Sequence, residues 1–274
     1  MDVTHPEKKM HAPRRNFRYS GVILVLPSIA LAFLVWYLLT EMVIIPPFML
    51  PKPVTVWERF WQVLLDGSLL RHLLVTLMEV LAGLTLGVCT ATGLGYALAK
   101  SRTVERFLSP YIVASQAVPI VAIAPLLIIW LGPGISSKVL ICSLVVFFPV
   151  LVNTIVGLRS VPEELQDLMR SLKATRWQTV RLLEVPAAMP VFLGGLRIGA
   201  TLAVIGAVVG EFVGADRGLG FLINVGRGQY DTALVFVAVF TLIALAISLY
   251  GLVVLLEARL LSWKQRPENP TLTQ

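Results

Sequence analysis

Residues 135–158 read ISSKVLICSLVVFFPVLVNTIVGL. Only Lys138, near the start, is charged. A helix needs about 20 mostly apolar residues to cross the hydrocarbon of a bilayer, so this run predicts a membrane span. Five further runs qualify, at about 22–44, 73–98, 107–131, 187–212 and 233–256. The fold class that follows is all-α, a polytopic membrane protein with about six transmembrane helices. Composition agrees. The 274 residues are 57% hydrophobic and only 14% charged, and mean hydropathy is +0.81. A soluble domain carries about a quarter of its residues as charges. The run at 107–131 is the least regular, because Pro110, Pro119 and Pro125 interrupt it. A proline in a membrane helix frees a carbonyl and bends the chain.

Net charge is +7. Counted along the chain, sixteen Lys and Arg residues fall on the segments at one side of the six spans and six on the other. The basic side is the cytoplasmic one by the positive-inside rule. This asymmetry accounts for the charge without nucleic acid, and an even number of spans puts both termini inside. Residues 1–20 read as a basic cytoplasmic tail, 21–260 as the transmembrane domain and 261–274 as a second cytoplasmic tail. The apolar run after the tail is longer than a signal-peptide core, so it reads as an uncleaved first span. An outer segment at about 53–67 has Val56, Phe60, Val63 and Leu64 at helical spacing, with Trp57 and Trp61 beside them. It predicts an amphipathic helix at the membrane surface. Gly83/Gly87 on the second span, and Gly195/Gly199 with Gly206/Gly210/Gly214 on the fifth, have the small-xxx-small spacing of closely packed membrane helices. They mark those two spans as interior.

The informative segment is the inner one, residues 160–186. Ser160 and Glu163 match a capping box, with Pro162 in the first turn. Leu165, Leu168, Met169 and Leu172 then form one apolar stripe at i, i+3, i+4 and i+7. Thr175 and Gln178 repeat the capping pattern and start a second short helix running toward Pro186. Two readings stay open on these residues alone: a helix that docks in the groove of a cytoplasmic partner, or a solvated linker packed on its own bundle.

The same segment resembles the cytoplasmic E-A-A-x-x-x-G loop of ABC importer permeases. Asp167, Leu168 and Met169 stand at the E-A-A positions, Lys173 at the glycine, and Val185-Pro186 at a later L-P pair. The Val118-Pro119, Ala124-Pro125-Leu126 and Trp130-Leu131-Gly132 stretches resemble the branch that carries nitrate, sulfonates, taurine, bicarbonate and pyrimidine- or riboflavin-type compounds, as does Gly210 through Gly220. The resemblance covers roughly residues 20–260. It implies a type I ABC importer permease in a bacterial inner membrane, with the solute pathway formed by a pair of permeases, most simply a homodimer. It implies a cytoplasmic ATPase dimer carrying ATP and Mg, and an extracytoplasmic substrate-binding protein. The candidate coupling residues are Glu164, Asp167, Leu168, Met169, Leu172, Lys173, Arg176, Trp177 and Pro186. The lysine at the glycine position and the bulky Leu168 and Met169 depart from the motif.

No G-x-x-x-x-G-K-[ST] occurs, nor any Gly-Lys pair, so ATP chemistry belongs to another chain. Cys89 and Cys142 lie in apolar runs, and His5, His11 and His72 have no ligand spacing, which argues against metal. A secondary transporter acting without an ATPase is the alternative class, and transport by this chain alone in vesicles without ATP separates the two. Ionisable groups within spans are costly and mark function by default. Glu79 and Arg197 are a candidate intramembrane ion pair; Gln116, Pro119, Asn153 and Glu211 are candidate pathway residues.

Overall fold

The computed structural model describes residues 20–42, 46 and 48–262, and among them every regular element is helical. The chain divides into two units, residues 1–55 and 56–274. The first holds α1, Ser20–Glu41. The chain after it folds back, with Trp36 Nε1 donating to the Pro51 carbonyl at 3.1 Å and Lys52 paired with Glu41 at 2.8 Å. α2, Pro53–Leu65, follows. Val56 and Val63 are buried while Trp57 and Trp61 are exposed, as an amphipathic surface helix requires. Arg59 pairs with Asp231 at 2.8 Å, the residue that caps the last span.

The core of the second unit is three helices: α3, Ser68–Lys100; α6, Ile135–Arg159; and α9, Val185–Gly214. Their mutual approach is written in glycines. A Cβ at Gly83 would stand 2.2 Å from the Cβ of Cys142, and one at Gly95 would stand 2.9 Å from that of Thr154. The two numbers rise together, so α3 and α6 run parallel. On the other flank a Cβ at Gly195 would meet Asn153 at 2.5 Å and one at Gly210 would meet Lys138 at 3.0 Å. There the numbers run oppositely, so α9 is antiparallel to α6. The glycine spacing thus marked true packing faces, but the central helix is the fourth predicted span, not the second or fifth. Those two present small residues so that α6 can seat between them. Lipid gives no hydrophobic drive to pack, so close van der Waals approach has to supply it.

The third predicted span is not one helix. α4, Arg102–Gln116, and α5, Ile120–Leu131, meet at 92° across a three-residue break that ends at Pro119. Pro119 lacks an amide hydrogen and disfavours helix at the residue before it. Because α3 and α6 are parallel, this bent pair has to return the chain from the Lys100 end to the Ile135 end. Four unbroken helices are long and apolar enough to span, and the bent pair makes up to five, among the described residues. After α6 come a short helix, α7 (Glu163–Ser171), then α8 (Arg176–Thr179), a π turn (Val180–Glu184) and α9. The expected second inner helix and fifth span are therefore one 39-residue helix, Arg176–Gly214. Pro186 and Pro190 each lack an amide donor, and the wider π turn, closed by Val185 N to the Val180 carbonyl, absorbs the break. α10, Leu219–Gly228, and α11, Thr232–Leu260, complete the fold.

Candidate functional site

The inner segment is held at both ends by backbone geometry. α7 closes in a Schellman turn: Ala174 N donates to the Met169 carbonyl at 3.0 Å and Lys173 N to the Arg170 carbonyl at 2.9 Å. Lys173 is the left-handed residue of that turn, at φ 52°. This is the conformation for which the motif carries glycine. α8 then opens on a complete capping box. Gln178 N donates to Thr175 Oγ1 at 3.3 Å and Thr175 N to Gln178 Oε1 at 2.7 Å. The first expected capping box is absent. Pro162 is the N-cap of α7 and no side chain caps it; Ser160 ends α6 in helical conformation and its hydroxyl donates to the Gly157 carbonyl. α6 runs to Arg159, so Ser160 cannot take the extended backbone of an N-cap.

Of the apolar stripe, Met169 is half-buried against the body, while Leu165, Leu168 and Leu172 are exposed, Leu172 at 67%. Trp177, 70% exposed, and Leu182 are further exposed apolar side chains on the second helix. Glu164 and Arg176 are exposed, Asp167 is paired with Arg170 at 2.8 Å, and Pro186 is half-buried where the chain joins α9. Two ion pairs lie where this segment meets the bundle, one to its π turn and one between α4 and α6. Lys100 at the end of α3 pairs with buried Glu184 of the π turn, and Arg159 at the end of α6 takes Glu105 of α4 with both guanidinium nitrogens. The segment, the foot of the bundle, thus carries large apolar side chains that no described residue covers.

Polar groups inside the spans arrange differently from expectation. Glu79 pairs loosely with buried Lys138, 3.8 Å apart, and Arg197 pairs with Glu257 of α11 beside the Tyr250 ring. Glu79 and Arg197 are not partners. Gly210 lies level with Lys138, and Arg197 is thirteen residues earlier on α9, about 20 Å away by helical rise. Glu211 is 1% exposed and lies within the chain's own packing. Its Oε1 accepts from Thr76 Oγ1 at 2.6 Å and its Oε2 accepts from Gly220 N. Leu219 N donates to Thr76 Oγ1 at 2.8 Å, and Gly218 N donates to His72 Nδ1 at 3.0 Å. Three successive amides at the start of α10 are thereby held by side chains of α3 and α9, with a carboxylate at the positive end of the helix. Asn153 packs under Gly195 and donates to the Pro149 carbonyl of its own helix; Gln116 and Pro119 are exposed at the α4–α5 break. Sequence reasoning passed over Lys138, Thr76, His72 and Glu257 as functional partners. Lys138 was legible as the one charge in an apolar run, but the others carried no local signal. Among the described residues no His, Cys, Asp and Glu side chains group as a metal site.

Comparison with known proteins bears on this arrangement. The family model described as the inner membrane component of binding-protein-dependent transport systems matches residues 83–262. A riboflavin transport system permease, RibX of Chloroflexus aurantiacus, is 47% identical over 80% of this chain and 82% of its own length. A formylaminopyrimidine transport permease, ThiX of Halalkalibacterium halodurans, is 38% identical over 80% of this chain and 88% of its own. Among solved structures, an inward-facing form of the MetNI methionine ABC transporter superposes with a TM-score of 0.55 at 19% identity, covering 75% of this chain and 98% of that one.

Proposed function

The chain belongs to the family of inner membrane components of binding-protein-dependent transport systems, and from that premise we propose that its inner segment couples transport to an ATPase carried by a separate subunit. As a permease of an ABC importer family it is a multi-pass membrane protein, and its named relatives are transport proteins rather than enzymes. The observation that carries the coupling reading is the uncovered apolar patch of Leu165, Leu168, Leu172 and Trp177 on a segment outside the spans, at the basic end of the bundle. In water such a patch is a liability unless a partner buries it. Each side chain contributes about 1.5–3 kcal/mol on burial. The partner is a cytoplasmic ATPase dimer with its own ATP and Mg. Closure of that dimer draws on the two feet of a permease homodimer and turns the pathway outward, toward a substrate-binding protein.

This orientation places both termini in the cytoplasm. Of the solutes suggested by the sequence, which range from nitrate and sulfonates to vitamin-type heterocycles, we favour a planar nitrogen heterocycle. The support is that the two relatives above are named for riboflavin and for a formylaminopyrimidine. Uptake of labelled riboflavin and taurine by cells carrying the full transporter decides between the classes.

The test of coupling is Leu168→Asp in the assembled transporter. An unpaired carboxylate in an apolar groove blocks docking, so substrate-stimulated ATP hydrolysis is expected to fall to the basal level while the permease still inserts. Full stimulation in this variant, together with cysteines at 168 and 172 that never crosslink to the ATPase subunit in any nucleotide state, overturns the reading.

A further inference from the structure

Behind the docking patch, between the inner ends of α3, α4 and α6 and the inward face of α7, lies a cavity of about 640 Å³. Its walls are mostly polar, with Ala99, Leu158 and Val161 as the apolar part. The ion pairs Lys100–Glu184 and Arg159–Glu105 form part of the lining, and each is neutral within itself. Arg170 reaches the cavity but is paired outside it with Asp167. Two guanidiniums remain, Arg102 and Arg106, and neither has an ion-pair partner among the described residues. The one lining carboxylate left to set against them is Glu163. The cavity therefore carries a net positive charge that no described residue satisfies.

The helix that supplies these arginines fixes where the cavity sits. Arg102 and Arg106 are four residues apart and share a face of α4. Val104, Phe107 and Tyr111 occupy the opposite face, and all three are exposed, with the two rings in contact at 5.9 Å between centroids. No residue of α4 is buried. A bent span whose first turns carry the basic residues, with an exposed apolar aromatic face beyond them, has the pattern of a helix entering the bilayer at headgroup level. Its arginines then lie at phosphate depth on the basic side of the bundle, the cytoplasmic side if the orientation proposed above is right.

We propose that this cavity binds the phosphate of an anionic phospholipid headgroup of the inner leaflet, held between Arg102 and Arg106 on α4 and Arg170 on α7. Guanidinium is the side chain best matched to phosphate oxygens, which it can engage with two parallel hydrogen bonds. A bound headgroup would tie α4 to the docking segment, so lipid occupancy would set the stiffness of the foot.

The full-length chain in phosphatidylcholine nanodiscs, titrated with phosphatidylglycerol and read by native mass spectrometry, tests this. The chain is expected to retain phosphatidylglycerol over phosphatidylcholine. The Arg102→Gln/Arg106→Gln double variant is expected to lose about tenfold in that affinity. Arg71→Gln/Arg227→Gln removes the same charge at the opposite end and is expected to leave it unchanged. Equal loss in both double variants reduces the effect to bulk charge and overturns the site. Inorganic phosphate or glycerophosphate that displaces phosphatidylglycerol at equal concentration overturns the lipid source in favour of a soluble anion. The measurement needs no ATPase subunit, so a failure of coupling at Leu168 and a failure of this site are separately visible.

Discussion

At the scale of single residues, Lys173 shows what a departure from a motif costs. A lysine in the left-handed region gives up roughly 1 kcal/mol against glycine, whose unfolded-state freedom returns part of it. Lys173→Gly is therefore expected to leave the Schellman turn intact and to stabilise it by less than about 1 kcal/mol. Slower hydrogen exchange at the 173 and 174 amides is the readout, and faster exchange contradicts it. Gly218 is the opposite case. It sits at φ 111°, and a Cβ there would stand 2.1 Å from Glu211 Oε1. Gly218→Ala is expected to break the clasp at the start of α10 and lower the melting temperature in detergent more than Glu211→Gln does. Gln at 211 keeps one acceptor, and the loss of a buried hydrogen bond costs on the order of 1–3 kcal/mol. A Gly218→Ala protein with an unchanged melting temperature would show that the clasp is not formed.

At the scale of elements, helix pairings replace guesses from depth. Arg197 of α9 is tied to Glu257 of α11, so the charge swap that matters is Arg197→Glu with Glu257→Arg. Each single variant is expected to lose transport and stability by leaving a charge unpaired within the bundle, and the double swap to recover most of both. Recovery by a swap between positions 79 and 197 instead would contradict the pairing. The π turn matters at this scale too. It lets one helix run from the docking patch through Glu184 and into the core facing α6, without a flexible joint between foot and span. This continuous helix is tied to α3 through the Lys100–Glu184 pair.

At the scale of the whole molecule, the parallel run of α3 and α6 sets the topology, and orientation follows from charge. A cysteine at 172 is expected to react with impermeant maleimide only in inside-out vesicles, and one at exposed Tyr230 only in intact cells with a permeable outer layer. The reverse pattern overturns the cytoplasmic placement of the foot. Sequence alone determined that this is a helical membrane protein, because runs of apolar residues report the solvent they need whatever they pack against. It determined which end is the more basic, by sixteen Lys and Arg residues against six, and the existence of a short helical segment between spans, because the stripe at 165, 168, 169 and 172 and the Thr175–Gln178 box are local in the chain. The branch was legible for a similar reason, since the Val118-Pro119, Ala124-Pro125-Leu126 and Trp130-Leu131-Gly132 stretches are local in the chain. Tertiary structure alone decided which helix is central, that the third span is bent through 92°, and which buried charges meet. Partners such as Thr76 and Glu211 lie 135 residues apart. Only the relative shift of packed helices brings them level, and that shift is set by where each glycine lets a neighbour approach.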